Sequence, residues 1–188
     1  MTPDREKKLA DIIDRDEIWQ TLLRYSRGID RFDRDLVRSC YWDDAVDDHH
    51  LFGGTPDQFL DLAIGYHKNA QTITHHALSN HYCELDGDHA HAETYYLFIG
   101  VNVELPHLMS IGRYVDHFQR RNGQWKIYSR VCVIERNYAL HDHPDMSIAE
   151  GDPVFGPVRQ ADRTPGDISY QRPLSPRLWG VARTDSSE

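Results

Sequence analysis

Apolar residues recur at helical spacing between positions 18 and 29. Four of them would share the inward face of one helix: Ile18, Leu22, Tyr25 and Ile29. Just before them, Asp14 can accept hydrogen bonds from the first helical amides, and Glu17 stands three residues later, as in a capping box. The pattern predicts a first helix from about Asp14 to about Ile29.

Two shorter helices are predicted next. The segment 34–40 suits a short second helix, and a strand is predicted to begin within 41–46. Thr55 and Pro56 suit the cap and first turn of a third helix, because proline already has the φ that this position needs. An inward stripe continues this helix: Phe59, Leu60, Ala63, Ile64 and His67.

After Gln71 the pattern changes to β-branched and aromatic runs separated by turn signals, as in antiparallel hairpins. Four strands fit these runs, with approximate ranges 74–86, 89–103, 108–121 and 124–138. Three helices followed by these strands predict an α+β domain, in which the helices close one side of a curved antiparallel sheet.

Beyond residue 140 no periodic pattern is sustained, and prolines recur at positions 144, 153, 157, 165, 173 and 176. A chain of 188 residues is expected to form one domain. That domain is predicted to span residues 1–140. Residues 141–188 are predicted to form an extended, proline-rich tail, ordered only where it lies on its own domain or on a neighbouring subunit.

The chain carries a formal net charge of -9, which disfavours nucleic acid and anionic membrane surfaces as partners. No stretch approaches the roughly 20 apolar residues of a membrane helix, and the first residues lack the apolar core of a signal peptide. A cytoplasmic location is therefore the default expectation. Cys40, Cys83 and Cys132 lack the spacing of a disulfide framework or a thiolate metal site, and are expected to be small buried residues.

Four sequence segments stand in a recognisable order: DRDEI leading to RYSRGID within 14–30, YWDDA at 41–45, THHALSN at 74–80 and GQWKIYSR at 123–130. Together they resemble the SnoaL-like branch of the nuclear transport factor 2 (NTF2) superfamily. That group includes ketosteroid isomerase, scytalone dehydratase, bile-acid 7α-dehydratase and hexachlorocyclohexane dehydrochlorinase. The resemblance covers about residues 8–138 and implies a cone of three helices on a curved sheet.

The resemblance also implies a catalytic pair. In lyases of this group, an Asp at the end of the first helix orients a His on the first long strand, and that His removes a proton from carbon. Asp30 and His76 match these positions. Without the resemblance, Asp30 would simply end a helix and His76 would be a core histidine. His75 points to the opposite face of the strand, so the choice of His76 rests on the family spacing.

Three further positions are implied at the pocket by the same resemblance. Tyr25 falls where relatives have a functional Tyr or Lys, and can donate a hydrogen bond to a developing oxyanion, although it also suits a core tyrosine. Trp42 and Arg130 fall where the dehydrochlorinase has a pocket Trp and Arg. Trp42 also suits plain packing, and Arg130 can instead pair with an acidic neighbour such as Asp116.

The second long strand is predicted to form a wall of the pocket. Its side chains alternate between Tyr95, Leu97 and Ile99 on one face and Tyr96, Phe98 and Gly100 on the other. Either set makes an aromatic and aliphatic wall, and Tyr95 is the candidate polar group in it. The position of the acid catalyst in the dehydratases falls near Ile99, which argues against a dehydratase that uses that acid.

The 12 histidines of the chain raise the question of a metal. The richest clusters, at 47–50, 89–91 and 141–143, match no zinc or facial-triad spacing. Glycine-rich phosphate loops and GxSxG elbows are also missing from the sequence. Neither a metal nor an organic cofactor is therefore expected.

The sequence thus predicts a cofactor-independent lyase that acts on a hydrophobic, aromatic or polycyclic small molecule and expels water, halide or a fragment such as formaldehyde. The same pair would serve an isomerase. A non-catalytic binding or assembly module, or the structural subunit of a ring-hydroxylating dioxygenase, is the alternative from another class. An enzyme requires Asp30 and His76 to meet within about 3.2 Å in a closed pocket. The resemblance also implies a homodimer or homotrimer.

Overall fold

The computed structural model of the protein describes residues 1–49, 52–142 and 161–176. The first helix, α1, spans Pro3–Arg31, and its predicted apolar stripe is buried. The stripe side chains are at most 1% exposed: Ile18, Leu22, Tyr25 and Ile29. Helical spacing therefore identified the face of α1 that packs on the sheet.

The predicted start of this helix at Asp14 is wrong, because α1 continues upstream to Pro3 through exposed turns that carry lysine–aspartate pairs one turn apart. Asp14 does not cap the helix. Its carboxylate accepts hydrogen bonds from Trp125 Nε1 (2.9 Å) and from Arg120 (2.9 Å). The residue that resembled a helix-start signal instead ties α1 to the sheet.

Helix α2 spans Arg34–Arg38 and helix α3 spans Pro56–Ala70. The predicted start of α3 is confirmed. The Thr55 hydroxyl accepts from the backbone N–H of Gln58 (3.3 Å), and the Gln58 side chain accepts from the backbone N–H of Thr55 (3.0 Å). This reciprocal cap depends on neighbouring residues alone, which is why the sequence revealed it.

Six strands form one sheet in the order β2-β1-β6-β5-β4-β3. Their bounds are Tyr41–Asp48 for β1, Gly53–Gly54 for β2, Gln71–Asp86 for β3, His89–Asn102 for β4, His107–Arg121 for β5 and Gln124–Leu140 for β6. The four long strands are consecutive and antiparallel, as predicted. Strand β1 instead lies parallel to β6, which makes the sheet mixed rather than wholly antiparallel.

The three helices pack on the concave face of the curved sheet, which confirms the predicted α+β cone. The centre of the core is closed, with side chains at 0% exposure from a helix and from the sheet, such as Leu60, Phe118 and Ile127. All three cysteines are buried and free. Within the described parts of the chain, no helix combines the length and the apolar character needed to cross a membrane.

Part of the predicted tail returns to the domain. The segment 161–176, which contains a single 3₁₀ turn at Ile168–Tyr170, lies against the end of α1. Arg31 approaches Asp167 (3.5 Å), and the Tyr170 hydroxyl donates to Asp33 (3.2 Å). The rest of the tail prediction, for 143–160 and 177–188, falls outside the described residues.

Candidate active site

The last turn of α1 and the first half of β3 bring an aspartate and a histidine together. His76 Nδ1–H donates to Asp30 Oδ1 (2.7 Å), and the backbone N–H of His76 donates to Asp30 Oδ2 (2.9 Å). Both carboxylate oxygens therefore hold the same residue. Because an ionised carboxylate only accepts, the neutral imidazole carries its proton on Nδ1 and presents an unprotonated Nε2 on the other side of the ring.

Asp30 is buried enough for its ionisation to need support. Its side chain is 12% exposed and that of His76 is 9% exposed. Burial by itself raises the pKa of Asp30, but the hydrogen bonds from His76 and Thr74 outweigh burial and lower the pKa. The carboxylate is therefore ionised near neutral pH and can stabilise positive charge on His76.

Strand alternation decides which of the two adjacent histidines faces the helices. The ring of His76 lies 4.6 Å from that of Phe98, measured between centroids, on the concave side of the sheet. His75 is exposed and pairs with Ile99 on the other face. The geometry thus gives an independent reason for choosing His76.

His76 lines a cavity of about 300 Å³. The wall comes from helices α1 and α3, strands β4, β5 and β6, and the connection between β1 and β2. It is mainly aromatic and aliphatic: Tyr25, Ile29, Phe52, Phe59, Tyr96, Phe98, Leu108, Tyr114 and Ile134. The other polar groups on the wall include His49, His67, Ser110 and Cys132. An apolar cavity with a few convergent polar groups is typical of a small-molecule site.

A second histidine of the cavity, His67 on α3, is neutral. The Pro106 carbonyl can only accept, so Asn102 Nδ2 donates to it (2.6 Å) and Asn102 Oδ1 accepts from Gln71 Nε2 (3.0 Å). Gln71 Oε1 then accepts from His67 Nδ1–H (2.7 Å), which leaves a lone pair on Nε2. Burial lowers the pKa of His67 to about 4. The cavity therefore holds a fixed neutral imidazole beside His76.

Acidification is expected to destabilise the fold partly through His67. Its pKa of about 4 lies below the ordinary 6.5, so the unfolded chain binds this proton first, and stability is lost as the pH falls from 6.5 towards 4. We expect His67→Asn, whose amide can still donate to Gln71, to reduce the loss of unfolding free energy between pH 7 and pH 5 by about 2 kcal/mol. Urea unfolding at both pH values measures the difference. An equal loss in both proteins contradicts this role for His67.

Arg130, which was predicted to bind substrate, is fully buried behind the cavity wall. Its Nε and Nη2 donate to the two oxygens of Asp116 (2.7 and 2.8 Å). The guanidinium lies between the rings of Tyr25 (4.2 Å) and Tyr114 (4.1 Å). The structure thus has the alternative arrangement, an ion pair with Asp116.

Tyr25, the third predicted catalytic residue, does line the cavity. Its ring lies edge-on to Tyr41 (6.1 Å) and Tyr114 (5.7 Å). Burial raises the pKa of Tyr25, so the phenol keeps its proton and can act only as a neutral donor or acceptor.

The other two predicted substrate contacts, Trp42 and Tyr95, are not among the residues that line the cavity. Trp42 lies outside the cavity, where its Nε1 donates to the Gln119 carbonyl (2.9 Å) and Arg121 covers its ring (5.0 Å). Tyr95 is 39% exposed on the convex face, whereas its neighbour Tyr96 is 6% exposed and lines the cavity. Both faces of β4 carry apolar residues, so periodicity alone could not say which tyrosine points inward.

The position near Ile99, where the acid catalyst of the dehydratases was expected, also lies on the outward-facing row of β4. The inward residues at that depth are Phe98 and its partner on β5, Ser110. Among the described residues, this part of the sheet therefore presents no acidic side chain to the cavity. His49 is a cavity residue that the sequence reasoning overlooked, because it was considered only as part of the possible metal cluster at 47–50. Its spacing of two from Asp47 within an extended segment was the available signal.

The returning tail segment braces the far side of the Asp30 and His76 pair. Arg163 lies over the ring of Phe32 (3.8 Å) and donates to the Gln71 carbonyl (2.9 Å) and to Thr74 Oγ1 (2.9 Å). Thr74 is itself a hydrogen-bond partner of Asp30. Arg163 thus connects the tail to the start of β3 and, through Thr74, to the aspartate.

We expect Arg163→Met to lower the free energy of unfolding by about 1–3 kcal/mol, because several buried acceptors would lose a charged donor. The matched control is Arg172→Met, since Arg172 is exposed and, among the described residues, donates to the tail carbonyls of Ser169 and Gln171. This control should change stability by less than about 0.5 kcal/mol. Urea denaturation of both variants tests the brace, and equal effects of the two substitutions would argue against it.

The fold and the cavity define a class of protein: an α+β cone of three helices on a curved sheet, with an apolar cavity between them. The chain belongs to the SnoaL-like domain family, whose model matches residues 10–131. Among curated proteins, none matches the chain.

Several solved structures share this fold at low sequence identity. Hexachlorocyclohexane dehydrochlorinase (LinA) type 2 is 23% identical with a TM-score of 0.67, over 74% of this chain and 99% of that one. The type 3 enzyme from Novosphingobium barchaimii LL02 is 22% identical with a TM-score of 0.67, over 73% and 99%. A candidate scytalone dehydratase from Novosphingobium aromaticivorans DSM 12444 is 20% identical with a TM-score of 0.63, over 81% and 97%. At these identities the likeness establishes the fold alone.

Across residues 1–49, 52–142 and 161–176, no group of three or more His, Cys, Asp or Glu side chains is arranged to hold an ion. His89 and His91 instead stack on His117 on the outer sheet face, with ring centroids 5.1 and 4.7 Å apart. His50 and His143, which belonged to the other histidine clusters, lie outside the described residues.

Proposed function

We propose that this protein is a cofactor-independent lyase that deprotonates a carbon of a hydrophobic, ring-bearing small molecule and then expels a small leaving group. One observation carries the proposal: Asp30 and His76 are hydrogen bonded at 2.7 Å, and His76 lines an apolar cavity. The contact is within the roughly 3.2 Å reach of a working pair, and His76 borders a cavity instead of the filled core expected of a non-catalytic module. It favours an enzyme over a binding module of the same fold.

The proposed reaction starts with a C–H bond beside a carbonyl group. His76 Nε2 takes the proton, and the electron pair of the C–H bond forms an enolate. Asp30 stabilises the imidazolium without taking its proton. When a β-hydroxyl then departs, the new C=C bond forms, and His76 returns the proton to the departing hydroxide as water. The pair is thereby restored, so elimination needs no acid at the Ile99 position.

The wall of the cavity suits the proposed substrate class. Aromatic side chains such as Phe98 and Tyr96 flank His76 and provide flat apolar surfaces for a ring. A volume of about 300 Å³ lies at the small end of known ligand sites, which favours one or two fused rings. The LinA enzymes and the candidate scytalone dehydratase, by their names, belong to elimination chemistry, which makes elimination the leading proposal over isomerisation.

The first experiment measures proton exchange, because this step comes before any leaving group departs. The bicyclic ketone 2-tetralone in D₂O should gain deuterium beside its carbonyl faster with the protein than in buffer, and EDTA should have no effect. A second probe, 3-hydroxy-1-tetralone, separates the rival reactions. Loss of water gives fluorescent 1-naphthol, whereas an isomerase would leave the elemental composition unchanged. Exchange no faster than in buffer for a series of such ketones would count against an enzyme.

A further inference from the structure

A second Asp and His pair lies on the wall of the same cavity. Asp47 on β1 is 0% exposed, and its Oδ1 contacts Nδ1 of His49, two residues further on. Its Oδ2 accepts from the Tyr41 hydroxyl (2.6 Å). The ring of His49 stacks on Phe59 of α3 at 4.2 Å between centroids. These contacts fix both the position and the orientation of the imidazole.

The surrounding charges favour the protonated form of His49. The titratable and charged groups around it are Asp47 and Tyr41 on β1, Tyr25 on α1, Tyr114 on β5, and Arg130 and Cys132 on β6. Arg130 directs its paired nitrogens to Asp116 and is neutralised there. Among these groups, His49 is therefore the side chain that can supply a positive charge to pair with the Asp47 carboxylate.

The same environment sets the ionisation of His49. Burial by itself lowers its pKa, but the hydrogen bond to Asp47 and the Cys132 thiol outweigh burial and raise the pKa to about 9. Since Nδ1 faces Asp47, Nε2, which lies near the Cys132 thiol on the cavity wall, is the nitrogen left for a ligand. These two histidines of the cavity thus differ in role: Nε2 of neutral His76 can accept a proton, whereas Nε2–H of protonated His49 can donate a hydrogen bond.

We propose that His49 binds the substrate oxygen on which negative charge develops, by donating a hydrogen bond from Nε2–H to an enolate or phenolate oxygen. Asp47 is its positioning residue. The inference rests on the proposed proton abstraction for its catalytic part, since the enolate forms when His76 takes the carbon-bound proton. His49 keeps its own proton throughout, so the transfer described above stays balanced. The ligand class is a ring compound with a ketone or phenol oxygen.

Binding of 4-nitrophenol tests the site without turnover, because the phenolate absorbs visible light and the phenol does not. The wild type should bind it as the phenolate. His49→Asn should lose about 10- to 100-fold in phenolate affinity, the usual size of a hydrogen bond to a charged group. Affinity for 4-nitrotoluene, which has no ionisable oxygen, should not change. The matched control is His75→Asn on the outer face. Phenolate affinity within twofold of the wild type in His49→Asn would overturn the proposal.

Exchange into 2-tetralone tests the catalytic part. His49→Asn should lower the rate about 10²- to 10³-fold, as loss of one oxyanion donor does elsewhere. The wild-type rate should fall as the pH rises through about 9, where His49 loses its proton. If the wild type catalyses no exchange but phenolate binding still depends on His49, the lyase proposal fails and the binding site stands. If the exchange rate depends on His76 but is unchanged in His49→Asn, the present inference is overturned and the lyase proposal stands.

An NMR titration covers the case in which His49→Asn does not fold. The ring resonances of His49 in the wild type should report an imidazolium at pH 7.5, with or without 4-nitrophenol. A neutral ring at that pH would overturn the proposal. The double variant Asp47→Asn/His49→Asn, which removes both charges together, gives a second protein for the phenolate measurement and should bind the phenolate as weakly as the single variant.

Discussion

Replacing His76 with Asn is expected to lower the rate of deuterium exchange into 2-tetralone by about 10²- to 10⁴-fold, the usual contribution of a positioned general base. The Asn amide can occupy the place of Nδ1 and still donate to Asp30, so the substitution removes the basic nitrogen with little change in packing. Exchange is followed by NMR at a fixed pH, with circular dichroism to verify folding.

Two companion variants make the result specific. Asp30→Asn should lower exchange by a similar factor, because an amide neither stabilises the imidazolium nor fixes the tautomer. His75→Asn, which changes the adjacent exposed histidine, should leave exchange within about twofold of the wild type. If His76→Asn keeps more than a third of the activity, or if His75→Asn loses as much, the assignment of the base is wrong.

The largest expected effect on stability comes from the buried ion pair. Asp116→Asn should lower the free energy of unfolding by about 3–5 kcal/mol, because the fully buried Arg130 guanidinium would lose its charged partner. Urea unfolding measures the loss. The matched control is Arg113→Met, which breaks exposed pairs with Glu93 and Glu135 and should cost less than about 1 kcal/mol.

A double variant separates the cost of an unpaired charge from the value of the pair. Arg130→Met with Asp116→Leu removes both charges and keeps most of the volume. It should be more stable than Asp116→Asn by about 2 kcal/mol or more. A double variant as unstable as the single one would mean that packing of the guanidinium between Tyr25 and Tyr114, rather than charge balance, dominates this region.

Local rules predicted the parts of the fold that depend on neighbouring residues. The cap at Thr55 and the hairpin turns are set by residues a few positions apart, and the structure has them where the sequence placed them. The helix start at Asp14 failed because that carboxylate is used by Trp125, which is distant in sequence. The parallel pairing of β1 with β6 likewise joins distant segments and leaves no turn signal.

The candidate site shows the same limit. Asp30 and His76 were found through the resemblance, since nothing local distinguishes them from a helix end and a core histidine. Periodicity could not decide between Tyr95 and Tyr96, because both faces of β4 are apolar and the inward face is decided by packing on other strands. Arg130 carried a charge that suggested a ligand, but its partner, Asp116, lies on the neighbouring strand.

Arg163 connects two parts of the chain whose sequences can vary independently, the cone and the tail segment 161–176. The family match ends at residue 131, yet the side chain that supports Thr74 and Asp30 comes from a segment after it. Substitutions in the tail can therefore alter the environment of Asp30 while the cone keeps its sequence. The same separation offers a route for engineering: a library confined to residues 161–176 would vary the setting of Asp30 without disturbing the cavity wall.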